Sequence, residues 1–534
     1  MGLLFGMTAR AQTYAITNAR IVTVSGPTIE SGTVVLRNGV IESVGTAAKV
    51  PADAQVFDGT GLTVYPGFID ALTSLGLPAA PVRPPGGGPG QAAAQATPAS
   101  NSNYPDALRP EQSVFDDLRT GEAQFETARN AGFTTVLTVS RGGIFNGQSV
   151  VIDLAGDTVA AMTIKTPFAE HVTFNTAGGG VYPTALMGTF SALRQMFLDA
   201  QRLQEYQKLY AANPKGIKRP DADKSLEALF PVINGQIPVV FTANREIEII
   251  RTLDLAKEFN LKAIIAGGQE AWKVADRLKA QNVPVLLSLN FPKRTSAASP
   301  EADPEGIETL RLRAETPKGA AKLAQAGIKF AFQSDGARNI SDFFTNAGKA
   351  VESGLGREAA IRAMTLGTAE LLGVDNRLGS IEAGKIANLA VIKGDVFGKD
   401  RYVTHVFVDG KYFEQKEPPK RDAPPAPGTS SQPALASVGG NYSVTIDIPG
   451  QPLPVTFALT QQGALLTGSI SSAAGSSPIK DGKVTAAGFS FAATVPFGGS
   501  AIEITVSGTV DGNKISGTLE SPQGAVSFSG TKNP

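Results

Sequence analysis

Cysteine is absent from the 534 residues of this chain, and histidine occurs only twice, as His171 and His405. Without thiols there can be no disulfide bond, no thiolate nucleophile and no cysteine-held zinc or iron–sulfur centre. Two imidazoles are also too few for the histidine clusters that hold zinc in many hydrolases. The lack of cysteine and the shortage of histidine therefore exclude thiolate catalysis and metal sites built from cysteine or from several histidines.

An excess of either charge sign is also missing, because 48 basic residues stand against 48 acidic ones. No overall field therefore favours nucleic acid or an anionic membrane. No stretch approaches the ~20 apolar residues that a membrane-spanning helix needs. Hydrophobic residues make up 42% of the chain, which is enough for a large core at a length that suits several domains. We expect a globular protein with no nucleic-acid partner and no membrane span.

The N-terminus carries a short apolar run that ends in the small-x-small pattern Ala9-Arg10-Ala11. Such a pattern is typical of the end of a secretory signal peptide, although this run is shorter than the usual ~7–15 residues and lacks a basic start. Residues 1–11 are therefore predicted to be a signal-peptide remnant cut before Gln12. The prediction places the protein outside the cytoplasm, in the periplasm or the medium; the alternative is an unstructured cytoplasmic leader.

Alternating apolar and polar residues mark strands near both ends of a long central region. Residues 21–24, 34–37 and 40–44 show the pattern, with Asn38-Gly39 as a tight hairpin turn. Residues 389–392 and 403–408 show it again far downstream, before Asp409-Gly410. Residues 12–62 and 376–414 are therefore predicted to form one composite β-sandwich from both flanks.

Short apolar runs alternate with helical patterns throughout residues 63–375. This order predicts an α/β fold with a parallel sheet, closed into a TIM-like (β/α)8 barrel whose third and fourth strands the pattern does not locate. The other strands are expected at residues 134–139, 238–241, 262–265, 284–289 and 329–332.

The C-terminal part changes in composition. Residues 415–437 are rich in proline and predict a semi-rigid linker. Residues 438–534 are rich in Gly, Ser, Thr and Val, and the triplet Ser-Gly-Thr recurs near the ends of short alternating runs. This pattern predicts a small antiparallel all-β barrel or sandwich domain.

Three motifs in the expected order carry a family resemblance. Pro-Gly-Phe-Ile-Asp stands at residues 66–70, Ala-Glu-Leu-Leu-Gly at 369–373 and Gly-Ser-Ile-Glu-Ala-Gly-Lys at 379–385. Residues 14–415 thereby resemble the amidohydrolase superfamily, and within it the exported imidazolonepropionase-like proteins. The family pattern has an aspartate where this chain has Asn388.

The resemblance implies a zinc centre at the barrel mouth, with His-x-His on strand one and single histidines on strands five and six. This chain has Leu72, Ser74, Thr242 and Gly267 at those positions, so the metal site is degenerate. The aspartate implied at the end of strand eight is present as Asp335. We therefore expect Asp335 to be the catalytic base, and we expect no metal ligand and no bound cofactor.

Other polar residues are expected around the mouth. Asn244, Glu270 and Arg338 are predicted to bind a small polar or anionic ligand. One alternative is a carboxylate site for magnesium or calcium made by Asp70, Asp335 and Glu270. A second is His171 as a lone acid or base, and a third is that the polar residues merely satisfy one another.

Two functions follow from this pattern. The resemblance implies a hydrolase acting on C–N bonds of cyclic amides or small dipeptides. The missing ligands favour a non-catalytic, metal-free subunit or ligand-binding protein that pairs with a homologous, metal-bearing subunit. A fold alone does not decide between them, because barrels host function only through their sites.

Overall fold

A computed structural model describes residues 12–78, 104–105, 107–177, 182–293, 305–334, 340–415, 436–446, 453–472, 475–485, 488–497, 500–521 and 524–533. The chain divides into two compact units, Met1–Ala79 with Pro98–Pro419, and Ala80–Thr97 with Lys420–Pro534. We call them the barrel unit and the C-terminal unit. The predicted signal-peptide remnant and nearly all of the predicted linker lie outside the described residues.

The barrel unit contains eighteen described strands: β1 Tyr14–Ile21, β2 Ile29–Arg37, β3 Val40–Gly45, β4 Gln55–Asp58, β5 Leu62–Pro66, β6 Phe68–Thr73, β7 Phe133–Thr138, β8 Phe145–Gln148, β9 Val150–Asp153, β10 Thr163–Lys165, β11 Glu170–Thr173, β12 Val239–Ala243, β13 Ala263–Gly267, β14 Val285–Ser288, β15 Phe330–Gln333, β16 Leu389–Lys393, β17 Tyr402–Val408 and β18 Lys411–Glu414.

Its described α-helices are α1 Val114–Asp117, α2 Ala123–Asn130, α3 Val159–Met162, α4 Leu186–Ala212, α5 Lys224–Ala228, α6 Phe230–Ile233, α7 Glu246–Glu258, α8 Ala275–Ala280, α9 Ile307–Glu315, α10 Gly319–Gln325, α11 Ser341–Glu352, α12 Arg357–Arg362 and α13 Leu366–Leu372. None of the helices in the described ranges is both long and apolar enough to cross a membrane.

One sheet of eight strands joins the two flanks of the barrel unit. Its order is β18-β17-β16-β5-β1-β2-β3, with β4 beside β1, and β5 pairs with β16 in antiparallel register. Strands from both flanks therefore lie in one sheet, while the composite β-sandwich expected from residues 12–62 and 376–414 stays a prediction. Asn38 and Gly39 both have positive φ, 54° and 80°, as a two-residue hairpin turn of the primed type requires.

The first predicted strand is misplaced. The strand lies at Tyr14–Ile21, upstream of residues 21–24, and Val24 itself has a φ of 69°. Asn18 has a φ of 56°, and the pairing register of β1 shifts around it. This bulge breaks the alternation of apolar and polar residues, so the pattern did not reveal the strand.

The central strands of the barrel unit confirm the predicted alternation. β11 to β15 pair in parallel one after another, and β6 pairs in parallel with β7. β7, β9 and β14 are buried along their whole lengths, as expected for strands covered on both faces. The five strands expected at residues 134–139, 238–241, 262–265, 284–289 and 329–332 correspond to β7 and β12 to β15.

The third position of the barrel departs from a regular (β/α)8 ring. β9 lies beside β7 but runs antiparallel to it. Backbone bonds then connect β9 to the chain before β11, from Ser149 N to Ala169 O at 3.0 Å and from Phe168 N to Ser149 O at 2.8 Å. The strands of the two central sheets, β10-β9-β7-β6 and β15-β14-β13-β12-β11-β8, therefore form a TIM-type arrangement in which β9 is reversed, and we call this arrangement the ring. This reversal explains why the repeating pattern did not locate strands three and four.

The interior of this ring is mostly apolar. Side chains from seven of its strands meet there in one buried cluster, which includes Ile69, Leu137, Val151, Val240, Ile264, Leu286 and Ala331. The outer faces of the strands pack instead against the helices. The interior is therefore a packed core, and any site must lie at an end of the strands.

The C-terminal unit contains a closed barrel of eight antiparallel strands, each paired with its neighbours in the chain. A small antiparallel all-β domain, either a barrel or a sandwich, was predicted, and the structure shows the barrel. The strands are β19 Gly440–Ile446, β20 Leu453–Gln462, β21 Leu465–Ser472, β22 Gly475–Thr485, β23 Gly488–Phe497, β24 Ser500–Asp511, β25 Lys514–Ser521 and β26 Gly524–Lys532.

Two of the recurring Ser-Gly-Thr triplets have a packing role in this barrel. Phe489, Gly508, Gly517 and Phe528 lie side by side in register across four neighbouring strands. A Cβ atom at Gly517 would lie 2.8 Å from the Phe528 ring and 2.0 Å from Ser507 O. The glycines thus leave room for the aromatic rings and for close approach of the strands.

Candidate functional site

The carboxyl ends of the parallel strands meet at one end of the barrel, which we call the mouth. Thr242 and Ala243 end β12, Gly267 ends β13, and Gln333 ends β15. Active sites of TIM-type barrels lie at this end of the strands, because the loops that follow the strands supply the variable side chains. Of the residues singled out from the sequence, Leu72, Thr242, Asn244, Gly267 and Glu270 lie at or just after the carboxyl ends of β6, β12 and β13.

Leu72 contributes only packing to the mouth. It is the penultimate residue of β6, is 5% exposed, and belongs to the apolar interior cluster. Its side chain has no donor atom for a metal. The first of the implied ligand positions is therefore part of the hydrophobic core.

Gly267 stands where the resemblance implies the strand-six histidine, and the side chain of Asn244 fills the space next to it. Gly267 has a φ of 89°, a conformation that residues with a side chain rarely adopt. A Cβ atom there would lie 2.3 Å from Asn244 Oδ1, so the Asn244 side chain covers the glycine. The oxygen itself is buried, and within the described chain it has no hydrogen-bond partner. A histidine at residue 267 would have to displace Asn244.

Glu270 is held by protein groups on both carboxyl oxygens. Oε1 accepts a bond from Lys273 Nζ at 2.7 Å, and Oε2 accepts one from Glu246 N at 2.8 Å, at the N-terminus of α7. The pKa of Glu270 is lowered: burial opposes this, but the bonds from Lys273 and Glu246 outweigh it. Its backbone N–H also donates to Asn244 O at 2.9 Å. The structure thus places Glu270 beside Asn244, where it caps α7.

Asp70 links the first and eighth strands of the ring. It is 1% exposed, and its Oδ1 accepts bonds from Ser334 N at 2.9 Å and from Leu72 N at 3.3 Å. These bonds fix the residue immediately before Asp335. Asp335 and Arg338 themselves lie outside the described residues, so their predicted roles remain predictions.

His171 is buried in the barrel. It is 2% exposed, and its Nε2 lies 2.8 Å from Ser149 Oγ. Burial lowers its pKa to about 3, so the imidazole is neutral at ordinary pH. A buried, neutral imidazole bonded to Ser149 does not favour the acid or base role that the sequence allowed as an alternative. His405 lies on β17, with its ring 5.0 Å from that of Phe57, and is part of the flanking sheet.

The residues present do not fit the zinc centre that the fold family implies. Leu72 and Gly267 have no donor, and Ser74 and Thr242 offer only neutral hydroxyl groups, which are poor zinc ligands. Across the described ranges, no three His, Asp or Glu side chains are grouped so that they could hold a metal ion.

One buried polar cluster at the opposite end of the barrel was missed by the sequence analysis. Asp153 Oδ1 accepts bonds from Thr135 Oγ1 at 2.6 Å and from Asn388 Nδ2 at 2.9 Å. Burial raises the pKa of Asp153 to about 7, although these bonds act to lower it. Asn388 Oδ1 in turn accepts from Asp409 N at 2.7 Å. The departure of Asn388 from the family pattern was the only sequence signal for this cluster.

These features describe a TIM-type barrel with a flanking sheet, and known proteins share them. Residues 248–412 match the model of the amidohydrolase family. An amidohydrolase from Thermotoga maritima has 26% sequence identity and a TM-score of 0.62, with 76% of this chain and all of the other covered. The chain is thus similar to the amidohydrolase superfamily, and the match to the family model covers residues 248–412.

A curated relative is similar in sequence. The amidohydrolase tasK of Hapsidospora irregularis is 25% identical over 404 residues, which cover 71% of this chain. The chain spans only 39% of the length of that relative. These comparisons do not distinguish the imidazolonepropionase-like branch from others.

Proposed function

We propose that the barrel unit hydrolyses a C–N bond of a small amide, either a cyclic amide or a dipeptide. The observation that carries this proposal is the similarity to the Thermotoga maritima amidohydrolase, which extends over the whole of that protein. The mouth has uncharged polar residues on its described strand ends, including Thr242, Ser288 and Gln333, and these suit a small polar ligand.

In this proposal Asp335 acts as general base. In the sequence it follows Ser334, whose backbone N–H donates to Asp70 on the first strand. Asp335 would take the proton of a water that attacks the amide carbonyl, and the proton would pass to the departing nitrogen. Arg338 would bind an anionic group of the ligand, and Asn244 would line the pocket. Glu270 would act indirectly by holding α7 and the backbone at Asn244.

A second proposal is a metal-free binding protein, either alone or beside a homologous subunit that carries the metal. The pair Gly267 and Asn244 favours it, since the strand-six position is filled by an asparagine side chain. The packing of Leu72 in the apolar core also favours a metal-free binding protein. Water activation by a lone carboxylate, without a metal, also gives a smaller rate gain than a metal site supplies.

Metal content and turnover distinguish the two proposals. Protein purified without an affinity tag and dialysed against trace zinc or manganese is expected to hold well under one equivalent by elemental analysis. A chelator should leave its melting temperature unchanged. Near-stoichiometric metal would contradict the degenerate site.

Turnover is then measured on acyl-dipeptides and cyclic amides. Hydrolysis that disappears in Asp335→Asn but persists in Asp276→Asn, an exposed control on α8, would support the hydrolase. Saturable ligand binding by calorimetry with no turnover would support the binding protein instead.

A further inference from the structure

The outer face of the C-terminal barrel carries a groove with a volume of about 880 Å³. Strands β19, β20, β21, β25 and β26 all contribute to its walls. Binding sites for small ligands commonly have volumes of about 300–1,000 Å³, so this groove is large enough to hold one. The groove belongs to the C-terminal unit, and the function proposed for the barrel unit does not involve it.

One row of polar side chains crosses the groove from strand to strand. In register it contains Ser471 on β21, Thr456 on β20, Ser443 on β19, Thr531 on β26 and Lys514 on β25. Neighbouring strands lie ~4.8 Å apart, so the row extends over roughly 19 Å. Four of its five side chains are hydroxyl groups, presented at the regular spacing of the sheet.

A second row lies two residues away along the strands and therefore faces the same way. Its members include Thr445, which is in register with Ser529, and Ser516, which is in register with Ser529 on the other side. Val444 and Ile515 stand between the two rows and belong to the buried cluster inside the barrel. The hydroxyl groups of both rows are therefore directed outward, into the groove.

Charge is scarce on this face of the barrel. Strands β19 to β21 contain no Asp, Glu, Lys or Arg, and among the described residues that line the groove Lys514 is the single charged one. On β22 and β24, by contrast, Lys480, Asp481 and Glu503 are exposed. Charged residues usually make up about 25–35% of the surface of a small soluble domain. Solubility alone therefore does not explain the composition of the groove.

The hydroxyl groups remain able to bind a ligand. Within the described residues, the side chains of Thr445 and Thr456 make no hydrogen bond, although both are exposed. Ser443 Oγ donates to Asn533 Oδ1 at 2.8 Å, but its oxygen still has lone pairs to accept a bond. The two rows thus offer both donors and acceptors.

This lining favours one class of ligand. Each hydroxyl group can donate one hydrogen bond and accept two, so rows of them match a molecule that is itself rich in hydroxyl groups. A lipid chain would leave these groups without partners. A nucleic acid or another polyanion needs several cations, and the groove has one lysine. A neutral carbohydrate meets all of these conditions.

We propose that the groove binds a neutral carbohydrate chain, which lies across the five strands along the two rows of hydroxyl groups. The C-terminal barrel then attaches the protein to a glycan, whatever reaction the barrel unit performs. Because hydroxyl groups also bond to water, each sugar–protein hydrogen bond contributes little net free energy. A short sugar chain should therefore bind with modest affinity.

Isothermal titration calorimetry on the full chain tests the groove. The neutral probes are cellohexaose, maltohexaose and mannohexaose, and the anionic probe is hexagalacturonate. We expect at least one neutral hexasaccharide to bind with a Kd on the order of 1 mM or tighter. Its affinity should be the same in about 0.05 M and about 0.5 M NaCl, because screening does not weaken contacts with an uncharged ligand.

A double variant, Thr445→Val with Thr456→Val, removes two hydroxyl groups and keeps the shape and the β-branching of both side chains. Its affinity for that hexasaccharide should fall at least about fivefold, as expected for two lost hydrogen bonds, while its melting temperature stays unchanged. Thr505→Val is the matched control, since Thr505 is exposed on β24 and does not line the groove. This variant should bind as the wild type does.

Four results would overturn the proposal. Two of them are the absence of binding by all three neutral hexasaccharides and an unchanged affinity in the double variant. Tighter binding of hexagalacturonate that high salt abolishes would assign the groove to an anionic ligand. A dimer in sedimentation experiments that the double variant separates would assign it to a second copy of the chain. None of these measurements depends on turnover by the barrel unit.

Discussion

At the scale of single residues, the barrel mouth is defined by Gly267 and Asn244. The glycine allows a backbone conformation with a φ of 89°, and the asparagine side chain lies directly over it. The two positions are therefore coupled, so a change at one should alter the effect of a change at the other.

The first prediction measures this coupling. Gly267→Ala should destabilise the protein by about 2 kcal/mol. A positive φ is unfavourable for alanine, and its Cβ atom would also displace Asn244 Oδ1. Gly235→Ala is the matched control, since Gly235 has a φ of 66° and a Cβ atom there would make only an ordinary contact, 3.6 Å from Lys262 Cε. In an Asn244→Ala background, the cost of Gly267→Ala should fall to that of Gly235→Ala. Equal costs in both backgrounds, measured by urea unfolding, would show that the side chains are independent.

The second prediction concerns the cluster of Asp153 and Asn388. Asn388→Asp replaces an amide donor by a second acid beside a buried one, so it should lower the stability by about 2–3 kcal/mol. The pKa of Asp153, raised to about 7, means that its proton stabilises the fold at acidic pH and is lost as the pH rises through 7. The destabilisation caused by Asn388→Asp should therefore be larger at about pH 8, where Asp153 is ionised, than at about pH 5. Asn282→Asp, at an exposed turn, should show neither effect in thermal melts.

At the scale of elements, strands with strong patterns could be predicted and irregular ones could not. β12 to β15 follow the repeat of strand and helix, and they appear where the sequence places them. β1 and β9 do not, because a bulge at Asn18 breaks one pattern and β9 is reversed. The same holds for the site: the residue types at the implied ligand positions can be read from the sequence. Contacts such as Asn244 over Gly267, or Glu270 at the start of α7, depend on tertiary distances that no spacing contains.

The third prediction belongs to the glycine-containing strands of the C-terminal barrel. Gly517→Val should strongly destabilise this barrel, because a Cβ atom would lie 2.0 Å from Ser507 O and 2.8 Å from the Phe528 ring. The cost should exceed about 3 kcal/mol, as expected for a large overpacking in a core. Ser516→Val, one residue away with an exposed side chain, should be nearly neutral. Similar melting temperatures for the two variants would contradict the packing role of the glycine.

At the scale of the whole molecule, the chain is built from two units that each have a core. The C-terminal barrel has its own buried cluster, with residues such as Tyr442, Phe457, Phe491 and Phe528. Among the described strands, each strand of this barrel pairs with other strands of the same barrel. Its stability should therefore need no residue of the barrel unit.

The fourth prediction follows from this independence. A fragment of residues 438–534 should fold cooperatively, with a β-type far-UV circular dichroism spectrum and a single thermal transition. The same transition should appear in the full chain, and Gly517→Val should abolish it in the fragment. A fragment without a transition, from a chain that melts normally, would mean that the barrel depends on the preceding residues.

The sheet that joins both flanks of the barrel unit also has a consequence for synthesis on the ribosome. β5 pairs with β16, and Pro66 lies opposite Leu389. Leu389 is synthesised roughly 320 residues after Pro66, so this strand pair can form only late in translation. At about 5–20 residues per second, that interval lasts tens of seconds. During this time the edge of β5 has no β16 to pair with, and an unpaired strand edge is a site for association with other chains. A nascent chain of this protein is therefore expected to depend on chaperone binding until its last flanking strands have emerged.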